Sequence, residues 1–159
     1  MIEKMKNDLD FIKTANKAVD MYHGKKDELI PILMKINQEI GFIPKEAMEE
    51  ISSRMHIPQS QIISVASFYH MFFTKQTGRH VVKFCESAPC HVAGGREVFN
   101  SLRNELELEP GETSSDGKWT LTTTSCLGVC SVGPVMMVDE DIYGNITPNQ
   151  IPDILAKYE

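Results

Sequence analysis

The hydrophobic period of this chain changes once, near residue 79, and that change limits the folds open to it. Up to residue 78 the apolar residues recur every three or four positions, the spacing of an amphipathic helix. Ile2, Met5, Leu9, Ile12, Ala15, Val19 and Tyr22 form the first stripe, and Gly24 is placed to stop it. Leu29, Leu33, Ile36 and Ile40 form the second. Pro31 falls early enough in it to be tolerated, and Gly41 stands where a left-handed helix end needs a glycine. Pro44 opens a third segment carrying Ala47, Met48, Ile51 and Met55 on one side; Pro58 opens a fourth with Ile62, Ala66, Tyr69 and Phe73. Short connections between such helices predict a compact antiparallel bundle. The aromatic run Phe68 to Phe73 is assigned to core and domain interface, because aromatic rings bury the most apolar area.

Beyond residue 79 the pattern is that of strands with helices between them. Residues 80–85, HVVKFC, read as a short buried strand. Val92, Val98, Phe99, Leu102 and Leu106 suggest a helix after the Cys90 loop. Turn residues at 110–111 and 115–117 precede an alternating strand with Trp119, Leu121 and Thr123. Residues 134–138 and 141–143 flank an acidic turn as a hairpin, and a last helix is expected over 149–157. The fold class read from this order is α+β, with a helical domain at 1–78 and a second domain at 79–159 that carries a small sheet covered by two helices.

All four cysteines fall into two pairs, Cys85 with Cys90 and Cys126 with Cys130, each just after a predicted strand. Two loops leaving the same end of a sheet bring four thiolates around two irons, each pair chelating one. Thiolates are soft ligands and suit iron–sulfur chemistry. Small neighbours (Ser87, Ala88, Gly94, Gly95, Gly128 and Gly133) let backbone N–H groups approach the sulfurs. One [2Fe–2S] cluster held by Cys85, Cys90, Cys126 and Cys130 would use every thiol. Structural zinc also takes four cysteines, usually at tighter C-x₂-C spacing, and spacing alone leaves it open. Thioredoxin-type exchange wants C-x-x-C, which neither pair has. His23, His56, His70 and His80 lack a companion ligand pattern and are read as structural or surface residues.

The rest of the sequence excludes more than it specifies. A net charge of −6 and a pI near 5.4 argue against a nucleic-acid footprint. No apolar run reaches the 18 or so residues of a membrane span. The opening residues lack an apolar signal core, so a cytoplasmic location without membrane insertion is expected. Neither a GxGxxG nor a Walker loop is present, so no nucleotide site is expected in this chain.

The chain resembles the thioredoxin-like [2Fe–2S] ferredoxins. These are best known as the small, flavin-neighbouring subunit of bacterial NADH–quinone oxidoreductase (an NADH dehydrogenase) and as the small subunit of NAD(P)-linked hydrogenases and formate dehydrogenases. The likeness spans nearly the whole chain. It rests on Leu29 to Leu33, Gly41-Phe42-Ile43-Pro44, Ser67-Phe68-Tyr69, C-x₄-C from 85 to 90, Cys126-Leu127-Gly128-Val129-Cys130 and Gly133-Pro134-Val135. One mild departure is Val132-Gly133, where an alanine commonly precedes the proline. The resemblance implies a thioredoxin-like second domain with a small mixed sheet, and the four cysteines as cluster ligands. It also implies an electron-relay role beside a flavoprotein that holds FMN and NAD(P)(H), with further iron–sulfur subunits. Against these stand two alternatives: a free-standing [2Fe–2S] ferredoxin and, more remotely, a four-cysteine zinc protein. The lean among complexes is towards an NAD(P)-linked hydrogenase or related assembly, on the resemblance only.

Overall fold

The structure is a computed structural model that describes residues 2–158, with side chains from residue 7 onward. The chain divides into two compact units, Met1–Gln76 and Thr77–Glu159.

The first unit is built of four helices: α1 (Ile2–Met21), α2 (Leu29–Ile40), α3 (Lys45–Met55) and α4 (Gln59–Phe68). Its core joins Ala15, Val19, Leu33, Ile36, Ile43, Ala47, Ile51 and Ile62. The stops are local chemistry. Gly41 caps α2 in the left-handed region at φ 90°, where a side chain would be strained. His56 caps α3 in the same region at φ 53°, and His23 lies there too in the turn after α1, so two histidines serve the backbone. Pro44 and Pro58 stand at the N-caps of α3 and α4.

Two expectations are corrected here. Leu9 is 56% exposed, whereas Ala15 and Val19 of the expected stripe are buried, with Ala18 beside them. Ile2 and Met5 lie outside the described side chains. The fourth helix ends at Phe68, so Tyr69 and Phe73 belong to the turn that follows; Phe72 is buried while Phe68 is 73% exposed. Core assignment therefore holds for only part of the aromatic run. Ile51 is fully buried in this core. Ile51→Ala is expected to destabilise the helical unit by about 2–5 kcal/mol, measured by urea unfolding, because the vacated volume collapses only partly.

The second unit is a four-stranded mixed sheet in the order β2-β1-β3-β4. Its strands are β1 (His80–Cys85), β2 (Trp119–Thr124), β3 (Met136–Val138) and β4 (Asp141–Tyr143). β1 and β2 run parallel with Cys85 opposite Thr124, while β3 pairs antiparallel with β1 and with β4. A short helical turn, α5 (Ala88–Cys90), leads through a widened turn at His91–Gly95 into α6 (Arg96–Leu106). The chain closes with α7 (Ile151–Leu155), flanked by single 3₁₀ turns. Val82, Phe84, Val98, Leu102, Leu121, Met136 and Ile151 form the core between sheet and helices. Val92 departs from the sequence reading: it is 86% exposed, because the helical run breaks at Gly94 (φ 96°) and the amphipathic face begins only with α6. Among the described residues no helix is long and apolar enough to cross a membrane.

Candidate metal centre

The parallel pairing of β1 and β2 decides where the thiols go. Both strands end at the same edge of the sheet, so Cys85, the last residue of β1, and Cys126, two residues past β2, emerge side by side. The Glu86 N–H donates to the Thr124 carbonyl at 3.0 Å and holds the two exits together. The Cys85 N–H donates to the Val135 carbonyl at 3.1 Å, which ties the strand end to the loop behind Cys130. Cys90 is carried on α5, not on an open loop, and Cys130 starts a 3₁₀ turn.

Cys85 and Cys90 are buried with Val135, and Leu127, Val129 and Val132 pack against them. Cys126 and Cys130 are exposed, their sulfurs 3.9 Å apart. Burial pushes the Cys90 thiol up to about 11, with Cys85 beside it adding to the rise. The Gly128 N–H, 3.3 Å from the Cys126 sulfur, draws that thiol below its ordinary value, and contact with Cys130 lowers it further. Cys130 moves the opposite way because Cys126 is its neighbour. Ser87 and Cys85 also act on Cys126, and Cys85 acts on Cys130, so the two pairs sense each other across the loops.

The donor set fits an iron–sulfur cluster. A thiol as buried as Cys90 keeps its proton near neutral pH unless a metal replaces it, and the metal then supplies the missing countercharge. Two glycines make room for that arrangement. A Cβ on Gly133 would stand 3.4 Å from the Cys90 sulfur, and one on Gly95 only 2.6 Å from the Cys90 carbonyl oxygen. Among the described residues no three His, Cys, Asp or Glu side chains are grouped around a point that could hold one metal ion. Cys90 with Cys85 and Cys130 with Cys126 could each chelate one iron of a two-iron unit, which takes two protein thiolates per iron.

The sequence model of the thioredoxin-like [2Fe–2S] ferredoxins matches residues 15–159. The chain belongs to this family. The NADH-quinone oxidoreductase of Escherichia coli K12 has a subunit that is 37% identical over 138 residues, covering 87% of this chain and 83% of that one. The NADP-reducing hydrogenase subunit HndA of Solidesulfovibrio fructosivorans is 32% identical over 134 residues, covering 84% and 78%. Among solved structures, the air-oxidised NAD⁺-reducing [NiFe]-hydrogenase matches with a TM-score of 0.68 at 24% identity over 82% of this chain. This ferredoxin spans 22% of that hydrogenase chain, so the likeness is one of fold.

The sequence reading missed several supporting residues. Val135 accepts from Cys85 and acts on the Cys90 thiol through its backbone. Asn145 donates to the Val132 carbonyl at 2.5 Å, fastening the Cys130 turn from the far arm of the hairpin. Backbone groups leave no trace in residue type, and only the hairpin at 134–143 hinted at them. His80, read as structural or surface, is structural: its Nδ1 lies 2.7 Å from the Asp139 carboxylate, and its ring packs against Trp119 and Tyr158, which also meet each other.

Proposed function

We propose that Cys85, Cys90, Cys126 and Cys130 ligate one [2Fe–2S] cluster, and that the chain is the electron-relay subunit of an NAD(P)-linked oxidoreductase. The observation that carries this reading is the convergence of both cysteine pairs at one end of the β1–β2 pair. When bound, the cluster takes up and gives back one electron. The protein's own task is to hold the four thiolates, to cover the Cys85–Cys90 side with Val135, Leu127 and Val132, and to leave the Cys126–Cys130 side open. FMN and NAD(P)(H) belong to a flavoprotein partner, alongside further iron–sulfur subunits. The ferredoxin domain is placed at 79–159 and the helical domain at 1–78. The relatives named above are subunits of larger enzymes, which favours a bound subunit over a free-standing ferredoxin. A cytoplasmic setting is part of the same proposal, because that is where NAD(P)H is available to the partner.

The test is reduction by NAD(P)H. The holo chain alone is expected to show no NAD(P)H oxidation and no change in its visible spectrum. With the flavoprotein added, NAD(P)H is expected to bleach that spectrum. Direct NAD(P)H oxidation by the isolated chain would defeat the assignment.

A further inference from the structure

The four proposed ligands are not held alike. Cys85 ends β1 and Cys90 sits on α5, both buried, so strand pairing and core packing fix them. Cys126 and Cys130 are exposed on the connection between β2 and β3, beyond the strand ladders. The turn that Cys130 begins is closed from within by two backbone bonds. Val132 N–H donates to the Val129 carbonyl at 3.1 Å, and Gly133 N–H to the Cys130 carbonyl at 3.2 Å.

A second hold comes from outside the turn, from the segment that leaves β4. Asn145 N–H donates to the Val132 carbonyl and Ile146 N–H to the Pro134 carbonyl. Beside these bonds Gly144 comes very close. A Cβ there would stand 2.7 Å from Val132 Cγ2, and 2.9 Å from both the Val132 Cβ and its carbonyl oxygen. Side chains do not pack at such distances, so any residue but glycine at 144 displaces the Cys130 turn. Gly144 is not in the left-handed region, so it is space and not backbone freedom that calls for glycine. Asn145 is left-handed at φ 52°, a conformation that asparagine tolerates better than most residues.

Both sides of this contact are anchored. Ile146 is buried in the core of the sheet unit. The Tyr158 hydroxyl pins β4, lying 2.9 Å from the Tyr143 hydroxyl and donating to the Asp141 carboxylate at 2.7 Å. On the other side Val132 packs against the buried group of Cys85, Cys90 and Val135. The Cys130 turn is therefore gripped between the buried thiol pair and the exit of β4.

We propose that Gly144 and Asn145 are positioning residues for Cys130, and that through Val132 they govern how firmly the iron on the exposed side is held and at what potential it is reduced. The inference rests on the ligand reading above and adds to it the residues that place one ligand. Groups that orient a metal ligand from behind commonly change metal affinity by about 10–100-fold when altered. Hydrogen bonding and solvent exposure at the sulfurs set a cluster's potential, and both change if the turn moves.

The experiment uses the full-length holo chain, purified anaerobically. It follows iron loss to a chelator, the paramagnetic resonance signal of the reduced cluster and the midpoint potential. Gly144→Ala is expected to lose iron at least about tenfold faster than wild type and to shift both the signal and the potential. Adding Val132→Ala to it deletes the nearest of the three clashing atoms and is expected to slow that loss. Asn145→Gly keeps the N–H and the left-handed backbone, and is expected to match wild type. Asn145→Ala strains the same turn and is expected to lose iron about twofold faster or more, which keeps the test open if Gly144→Ala does not fold. Ile154→Ala, a core truncation in α7, is expected to lower the melting temperature without moving signal or potential, which separates positioning from stability. Wild-type iron loss and signal in Gly144→Ala, or in Asn145→Ala where the former does not fold, overturns the proposal and leaves the ligand reading intact. The same signal shift in Ile154→Ala overturns it too. A wild-type chain that takes up no iron and sulfide overturns the ligand reading and this proposal with it.

Discussion

Cys126→Ala is expected to strip the protein of its cluster as completely as Cys85→Ala, although one thiol is exposed and the other buried. Anaerobically purified wild type is expected to contain two irons and two acid-labile sulfides per chain, since each iron of such a cluster takes two protein thiolates. Losing any one of the four leaves an iron with a single protein ligand. Burial decides how the apo protein looks, not whether the cluster holds. Cys85→Ala also opens a gap against Val135 in the buried group, whereas Cys126→Ala removes little packing. The two variants are therefore expected to share a near-complete loss of iron and to differ in thermal stability, with Cys85→Ala the less stable. Iron and sulfide assays with thermal melts of each variant check both halves. Full iron content in two of the single variants, or one zinc and no sulfide in the wild type, would refute the ligand set.

How much of this could be read before the structure depended on where the information lies. Helix period and proline or glycine stops are written in side chains, so the four helices of the first unit and the ends at Gly41, Pro44 and Pro58 were legible. Strand order is not written that way. That β1 lies between β2 and β3, parallel to one and antiparallel to the other, follows from tertiary pairing. The pairing is what makes two distant cysteine pairs into one site. Leu9 and Val92 were misplaced for a shared reason: an apolar residue at helical spacing does not say which face the rest of the fold will cover. For Val92, the left-handed Gly94 interrupts the run, and a glycine inside a helical pattern is an ambiguous signal. The ligands were legible because thiols in paired spacing are rare. Of their supports, the Gly128 N–H was legible in the small residues around the thiols, but the Val135 carbonyl and the Asn145 N–H were not, since every residue but proline offers both groups.

Gly95→Ala is expected to reduce the cluster content sharply while leaving all four thiols in place. Gly95 has φ −60°, an ordinary helical value that alanine adopts freely, so backbone strain is not the issue. The obstacle is steric. The added Cβ would lie 2.6 Å from the Cys90 carbonyl oxygen and 3.0 Å from its carbonyl carbon, and both belong to backbone that cannot swing aside. Either α6 or the α5 turn must move, and the α5 turn carries Cys90. Overpacking of this kind costs about 1–3 kcal/mol, and here the displaced group is itself a ligand. Iron per chain is expected to fall to less than half of the wild-type value, with a lower melting temperature. Gly128→Ala makes a useful comparison. Its Cβ would meet nothing within 4 Å, but φ is +83°, so any effect comes from backbone strain alone. It is expected to reduce stability modestly and to keep most of the iron. Iron content and melting temperature unchanged in Gly95→Ala would show that the α5–α6 junction yields more easily than its close packing implies, and that Cys90 is not held in place by it.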